Sequence, residues 1–426
     1  MNTDVLIIGA GVLGLSSAYH VKRLNPSKRV IVIERFSSPG QENTAKSMGA
    51  FRNIFTSETN FLLTDSTIDW LIHLQSDLGH DIDLHKIGYL WLFSERQFSK
   101  LDGALARIKG RGAETTLFEK EDLNRLLPDL VTEQRDDEDA EFMGLEDVDH
   151  GLLGYKCGSL NADALARSYE RLFLEVGGKI KYNVNAKTLL VKSKKELGIP
   201  GEPFVWQDKE IKGVETSVGN ITAETTIVAC GTWAGGLLEP TGFDTFMHPK
   251  KRQLFAFKDQ KLQRLISVKG LNADGVLPLT ILPKAGIHLR TEISEGSIWM
   301  GCADNIPRRF GLEDDPQPEA DYYSNNIYHA LIKYLPCFKN VIPTNSWAGQ
   351  YDVNSLDETP VIYQSEGLIY VGASSGSGIM KSDALGRIAA ASYMKKTEAE
   401  LYGERRFKIS DLGVKYRRVE HEEFVL

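Results

Sequence analysis

Asp4-Val5-Leu6-Ile7-Ile8-Gly9-Ala10-Gly11-Val12-Leu13-Gly14 is the stretch whose reading decides the fold of this chain. Five residues from Asp4 to Ile8 form a short, almost wholly apolar run, the pattern of a strand buried on both faces. Leu15 to Leu24 continues as a helix, stopped by Asn25-Pro26. Arg29 to Ile33 is a second buried strand, and Glu34 closes it 20 residues after Gly14. Gly9 permits a tight turn, Gly11 lets a pyrophosphate approach the backbone, and Gly14 lets helix and strand pack closely. The helix start at Val12 and Leu13 offers free N–H groups and a positive dipole end to phosphates. Glu34 is placed to accept hydrogen bonds from ribose hydroxyls, and it disfavours a 2′-phosphate. The pattern predicts a βαβ dinucleotide-binding unit and does not by itself choose between NAD and FAD.

With 426 residues the chain exceeds one ordinary core, which predicts two domains. A net charge of −8 argues against a nucleic-acid partner, because phosphate binding wants a basic face. The N-terminus lacks the basic start and small-residue cleavage pattern of a signal peptide, and no apolar run approaches a membrane span, so no integral membrane segment is expected. Cys157, Cys230, Cys302 and Cys337 are far apart, without a Cys-x-x-Cys pair. That is a poor framework for disulfides or zinc; it predicts core thiols, no metal, and a cytoplasmic protein. The nine histidines are scattered and read as structural.

Two further segments carry chemistry. After Glu34 and Arg35, the loop Thr44-Ala45-Lys46-Ser47-Met48-Gly49-Ala50-Phe51-Arg52 combines hydroxyl donors, a glycine and a cation. By itself it reads equally as a polar surface loop with a solvated arginine. Near the C-terminus, Leu368 to Val371 is an apolar strand, Gly372 to Gly378 a glycine- and serine-rich turn, and Lys381 to Tyr393 a helix with small and apolar residues on one face. A helix start aimed at a ligand ring would stabilise negative charge there.

Taken in order, these motifs resemble the D-amino acid oxidase superfamily, in its glycine oxidase, sarcosine oxidase and proline dehydrogenase branch. The resemblance rests on the glycine fingerprint with Glu34 and Arg35, on Ser47, Gly49 and Arg52, and on Thr226 to Ala234 with its Gly231 and Trp233. It continues through Trp347, Gly349, Tyr351, Asp357 and Pro360 to Gly367–Lys381, so it spans roughly residues 4 to 395. It implies FAD as cofactor. The implied FAD contacts are Gly9, Gly11, Val12, Leu13, Gly14, Glu34, Arg35, Thr44, Ser47, Met48, Gly49, Lys187, Cys230, Gly231, Trp233, Gly376, Gly378, Ile379, Met380 and Lys381. The implied fold is α/β: a discontinuous Rossmann-type FAD-binding domain (1–50, 151–245, 341–395) and a substrate domain (51–150, 246–340) with a mostly antiparallel sheet and flanking helices. Residues 396–426 form a tail to which no chemistry is assigned. The acidic runs at 135–141 and 146–149 are expected as solvated loops, and 191–212 as a surface excursion.

The same resemblance implies oxidation of a C–N bond, with hydride passing from the carbon beside nitrogen to flavin N5. The protein supplies position, polarity and water exclusion. Where monomeric sarcosine oxidase has its carboxylate-binding arginine and lysine, this chain has Phe55 and Met380, with Lys381 next door. The covalent flavin cysteine of that relative falls at Gly349, so the FAD is expected to be noncovalent. Arg290 is the first candidate for a carboxylate clamp, Arg252 the second, and Tyr351 a hydroxyl donor; Arg52, Met380 and Lys381 complete the flavin- and substrate-facing set. Phe55, Trp233 and Met380 make the pocket apolar, which suits proline, an N-methyl amino acid or a modest hydrophobic amino acid. A flavin-dependent 2-hydroxy acid or glycerol-phosphate dehydrogenase, and a non-enzymatic FAD-binding assembly factor, fit the same scaffold. The electron acceptor (oxygen or a carrier) and any homo-oligomer or partner subunit stay open.

Overall fold

The computed structural model describes residues 1–283, 286–304 and 310–424. No candidate site residue lies outside them. Strand β1 (Asn2–Ile8), helix α1 (Val12–Leu24) and strand β2 (Val30–Ile33) form the expected unit, with β1 and β2 parallel. On its other side β1 pairs in parallel with β3 (Gly219–Val228), which pairs in parallel with β4 (Leu368–Gly372). Lys179–Lys181 extends the sheet beyond β2, and Val361–Ser365 closes the far edge antiparallel to β4. An antiparallel hairpin, Ala186–Ser193 with Lys209–Thr216, grows from the start of β3. Its tip is the predicted excursion, with Leu197, Ile199, Val205 and Trp206 exposed.

The period of two along the strands sorts their side chains into two cores. Val5, Ile7, Val30, Val32, Ile227, Ile369 and Val371 face α1, helix α2 (Glu58–Ser76), helix α3 (Ala162–Glu175) and helix α4 (Ser382–Tyr393). Leu6, Ile8, Ile31, Ile33, Val228, Leu368 and Tyr370 face the hairpin and residues Leu237 and Leu238. This is why β1 and β2 read as continuous apolar runs rather than alternating ones.

A second eight-stranded sheet runs in the order Asn345–Asn354, Met247–Phe257, Ser297–Cys302, Ile287–Glu292, Leu279–Ile281, Tyr89–Phe93, His150–Gly154, Thr115–Glu119. Every neighbouring pair is antiparallel except Leu279–Ile281 with Tyr89–Phe93. Three segments depart from the sequence reading. The Trp347–Tyr351 stretch belongs to this second sheet, paired along the length of Met247–Phe257, rather than to the nucleotide-binding layer. Conversely, α2 buries Leu63, Ile68, Trp70, Leu71 and Leu74 against that layer, as do Ala399, Leu401, Phe407 and Leu412 of the supposed tail. Within the acidic run, Glu138–Phe142 is helical, capped by Asp137, and Lys333 pairs with Asp137 and Asp139. Opposite charge from a distant segment makes the run a docking point, which local composition does not reveal.

Two contacts bind α4 to α1. His20 Nε2 lies 2.7 Å from Asp383 Oδ1, both fully buried, and Arg387 Nε reaches the other carboxylate oxygen at 2.5 Å. A Cβ at Gly386 would stand 2.1 Å from Ser16 Oγ and 2.7 Å from the Ser16 carbonyl carbon. The hydroxyl can rotate away but the backbone cannot. Gly386→Ala is therefore expected to cost about 1–3 kcal/mol, the usual range for overpacking a tight contact. Urea unfolding of the purified variant measures it, and an unchanged midpoint would show that α1 and α4 have room to spare.

Candidate functional site

A cleft of about 420 Å³ runs along the C-terminal ends of β1, β2 and β3. It is lined by Gly9, Gly11, Val12 and Leu13 from the glycine loop, Glu34 and Arg35 after β2, Thr44 and Ser47, and Lys187. Cys230, Gly231 and Trp233 follow β3, and Gly376, Gly378 and Ile379 follow β4; Tyr351 closes the far end. Strand ends at a crossover are where such sheets bind ligands.

The glycine loop owes its shape to backbone crowding. Gly9 has φ +105°, and a Cβ there would lie 2.7 Å from the Ala229 carbonyl oxygen. A Cβ on Gly14 would lie 2.0 Å from the Gly9 carbonyl oxygen, so α1 sits on the loop with no side chain between them. Gly14 thus shapes the cleft from beneath and is not on its wall. Gly11 begins α1 without a side-chain cap, and the Val12 N–H donates to Thr44 Oγ1 at a long 3.3 Å. The helix start is open to an anion. Glu34 accepts from the Ala10 N–H at 2.7 Å and the Phe36 N–H at 3.1 Å, which fixes its carboxylate at the mouth of the loop.

The polar groups on the cleft wall point to what fills it. Trp233 Nε1 is shielded and without a hydrogen bond among the described residues, and the Arg35 guanidinium, paired with Glu42 and Asp314 at 3.5 Å, stacks 4.3 Å from its ring. A donor such as Trp233 Nε1 costs about 1–3 kcal/mol when left unmet. A nucleotide with phosphates at the α1 start and hydroxyls at Glu34 fits this donor set.

The loop between β2 and α2 is stapled to the second sheet at three points. Asn43 Oδ1 accepts from the Gln350 N–H at 2.9 Å, Trp347 Nε1 donates to the Lys46 carbonyl at 3.0 Å, and Arg290 Nε donates to the Met48 carbonyl at 2.9 Å. Gly49 is held at φ +65° with its Cβ position 2.1 Å from the Leu160 carbonyl oxygen. Met48 and Gly49 therefore support the loop from outside the cleft wall. Arg290 is buried at 2% exposure; it also pairs with Glu292 at 2.8 Å, donates to the Thr291 carbonyl and lies 4.5 Å from the Trp299 ring.

Arg52, Met380 and Lys381 also lie off the cleft wall. Arg52 is buried, donating to the Ile54 and Phe424 carbonyls at 2.5 and 2.8 Å with its guanidinium 4.0 Å from the Phe55 ring. Met380 is partly buried against the α1–α4 core. Lys381 is buried and donates to Asn60 Oδ1 at 2.7 Å. Burial first, and the Arg52 charge second, bring its amine down to about 7.

Two residues emerge that the sequence reading passed over. Tyr89 is buried, and its hydroxyl lies within electrostatic reach of Arg52, Tyr351 and Arg290, with burial raising its pKa. Asp352 lines the cleft; burial raises its carboxyl, opposed by the Ser374 hydroxyl at 2.8 Å. Tyr89 was visible only as one aromatic of a strand, and Asp352 as the neighbour of Tyr351. Arg252, beside Tyr351 with its guanidinium 5.8 Å from the ring, donates to the Asp304 carbonyl at 3.2 Å. Among the described residues no group of His, Cys, Asp and Glu is arranged to hold a metal, and no helix is long and apolar enough to cross a membrane.

A family model described as FAD dependent oxidoreductase matches residues 4–392. FAD-dependent oxidoreductase domain-containing protein 1 of Bos taurus is 25% identical, covering 91% of this chain and 80% of that protein. Peroxisomal sarcosine oxidase of Mus musculus is 21% identical over 57% of this chain and 53% of its own length. Among solved structures, L-proline dehydrogenase from P. horikoshii superposes with a TM-score of 0.74 at 20% identity, covering 92% of this chain and 94% of its own. Glycine oxidase from Geobacillus kaustophilus gives 0.71 at 18% identity, covering 93% and 95%.

The Lys381 amine carries a pH signature. In the unfolded chain it titrates near 10.5, and in the fold near 7. Between those values the unfolded state binds more protons than the folded one, so this group makes stability rise with pH across that window and fall as pH drops toward 7. Urea unfolding at several pH values from 7 to 10 is expected to show that rise in the parent and a flatter profile in Lys381→Met. Parallel profiles would mean that the buried amine keeps its ordinary affinity for protons.

Proposed function

Because the chain belongs to the FAD dependent oxidoreductase family, we propose that it oxidises the C–N bond of a small amino acid or secondary amine, proline-like or N-methylated. The observation that carries this reading is the end of the cleft beyond Gly376. Tyr351 stands there with Arg252 behind its ring. A phenol backed by a cation suits a carboxylate attached to a compact carbon skeleton. Among the described residues lining the cleft there is no histidine, the base that removal of an alcohol proton would call for. That favours the amine over the 2-hydroxy acid. Relatives in the same fold include an L-proline dehydrogenase and a glycine oxidase, which act on amino acids by name.

Bound FAD supplies the hydride acceptor. The chain's own residues do the rest. The α1 start and Glu34 orient the cofactor along the cleft, and the stapled loop holds Ser47 and its neighbours beneath it. Arg290 spends its Nε and Nη1 on Met48, Thr291 and Glu292, so we assign it to holding the loop. The carboxylate role falls to Arg252 with the Tyr351 hydroxyl, which leaves the substrate nitrogen and its neighbouring carbon toward the apolar wall. Excluding water there protects the transfer from side reactions.

The test is anaerobic mixing of the FAD-loaded protein with proline, N-methyl amino acids and 2-hydroxy acids while the visible spectrum is recorded. Bleaching by an amine, and not by a hydroxy acid, is the expected result; bleaching only by a hydroxy acid would overturn the reading. On the best amine, Arg252→Ala should raise KM roughly ten- to hundred-fold, the worth of one charged hydrogen bond, with a smaller change in kcat. Arg290→Ala should instead lower the FAD content. The reverse pattern would return the clamp to Arg290.

A further inference from the structure

The segment 311–319 runs along the edge of the cleft as a strap, gripped by two glutamines of the second sheet. Gln350 is 1% exposed and spends its side-chain amide on the strap backbone. Its Oε1 accepts from the Glu313 N–H at 3.1 Å, and its Nε2 donates to the Gly311 carbonyl at 2.8 Å. Gln253, also buried, holds the other end: it accepts from the Glu319 N–H at 2.6 Å and donates to the Glu319 carboxylate at 3.2 Å. A glutamine amide both donates and accepts, so one side chain can fix a donor and an acceptor of the same stretch.

Between the grips stand three consecutive acids. Glu313 pairs with Lys251 at 2.8 Å, Asp314 with Arg35 at 3.5 Å, and Asp315 with Lys46 at 3.3 Å. Those cations come from the second sheet, from the end of β2 and from the loop 43–48, so the strap touches both layers. Asp314 and Asp315 are largely exposed, and such pairs are individually weak and screened by salt. The buried Gln350 amide is the firmer hold. Its two bonds fix the one residue between them. Leu312 is 48% exposed and stands on the cleft wall together with Asp314. A single exposed leucine is ordinary on a protein surface. This one is presented to a nucleotide cleft by backbone bonds on both of its neighbours, and it is the one apolar side chain of 311–315.

We propose that Leu312 is a cofactor-binding residue and Gln350 the positioning residue that seats it: the strap lies against bound FAD and slows its release. The half of Leu312 that faces water in the empty cleft is then covered by the cofactor. Hydrophobic contact on the open side adds to the donors on the inner wall and helps hold a cofactor that no covalent bond retains. The inference rests on FAD as the cofactor and is independent of which substrate is oxidised.

The test is the rate of FAD release. The FAD-loaded protein is diluted without substrate, and the return of free-flavin fluorescence is followed for the parent, Leu312→Ala, Gln350→Ala and the double variant. Leu312→Ala is expected to speed release roughly five-fold, the worth of burying about half a leucine side chain. Gln350→Ala should speed it at least as much. The double variant should be little faster than Gln350→Ala, because a leucine that has lost its seat has no contact left to remove. Leu312→Met should restore the parental rate. Leu356→Ala, which removes a leucine of similar exposure (49%) away from the cleft wall, should leave it unchanged. If Gln350→Ala fails to fold, Glu313→Gln takes its place in the cycle, since it frees the strap from Lys251 while the backbone bonds remain.

A Leu312→Ala protein that releases FAD at the parental rate overturns the proposal. Effects of the two changes that simply add overturn it as well, because a glutamine that only stabilised the fold would act whether or not Leu312 is there. So does a Leu356→Ala protein that loses FAD as fast as Leu312→Ala. A parent that holds FAD but is reduced by no amine sinks the substrate reading, and the release rates still decide the role of the strap.

Discussion

Everything in this molecule hangs on the absence of one side chain between a helix and the loop before it. The Cβ that Gly14 lacks would fall 2.0 Å from the Gly9 carbonyl oxygen. Without it, α1 settles directly on the turn out of β1, and its first amides open onto the cleft. The other side of the helix is as close, with Gly386 of α4 against Ser16 and the His20–Asp383–Arg387 chain beside them. Helix α1 is thereby a wedge with no slack on either side. The glycine turn before α1 and the glycine turn before α4, separated by most of the sequence, are forced to share one wall of the same cavity. Dispersion and burial supply the attraction, and the missing methyl groups supply the geometry.

The second sheet is coupled to this wedge through the loop 43–48. Its three staples come from two strands of the second sheet, Asn345–Asn354 and Ile287–Glu292. A loop of hydroxyl and small residues has little apolar surface with which to hold itself. Its shape along the cleft is therefore dictated by the neighbouring layer. The cleft reaches this seam, where Gln350, Tyr351 and Asp352 of the second sheet join its wall. Arg290, deep in the seam, acts as a bracket for the Met48 carbonyl.

How much of this could be read from the sequence follows from the range of the interactions. The β1–α1–β2 unit was legible because its glycines and its acid act on neighbours a few residues away. The turn after β4 was legible for the same reason, and sixteen of the named site residues meet around one cleft. Local pattern did not say which sheet Trp347 and Tyr351 would join, because that choice depends on their pairing with Met247–Phe257 a hundred residues earlier. Helix α2 and the 399–412 segment carry apolar residues that satisfy either layer by composition. The clearest failure of legibility is the chain end, where Glu420, Glu422 and Glu423 look like solvated charge. Only the placement of the amides at the α2 start turns Glu420 and Glu422 into their acceptors, while Glu423 pairs with Arg107.

Burial also makes the charge of this region responsive. Arg52 and Lys381 both lie inside the protein, and each raises the cost of charging the other; Glu422 is the carboxylate that offsets both. With the Lys381 amine near 7, the pair carries between one and two positive charges around neutral pH. A negative charge placed beside them would shift that balance toward the protonated lysine, since anion and proton each favour the other's binding. Asn60 is placed to accept from the amine in either state, so the hydrogen bond at 2.7 Å survives the change. Burying a lysine beside an arginine, under a tail that supplies a single carboxylate, thus ties the proton on Lys381 to the charge around it.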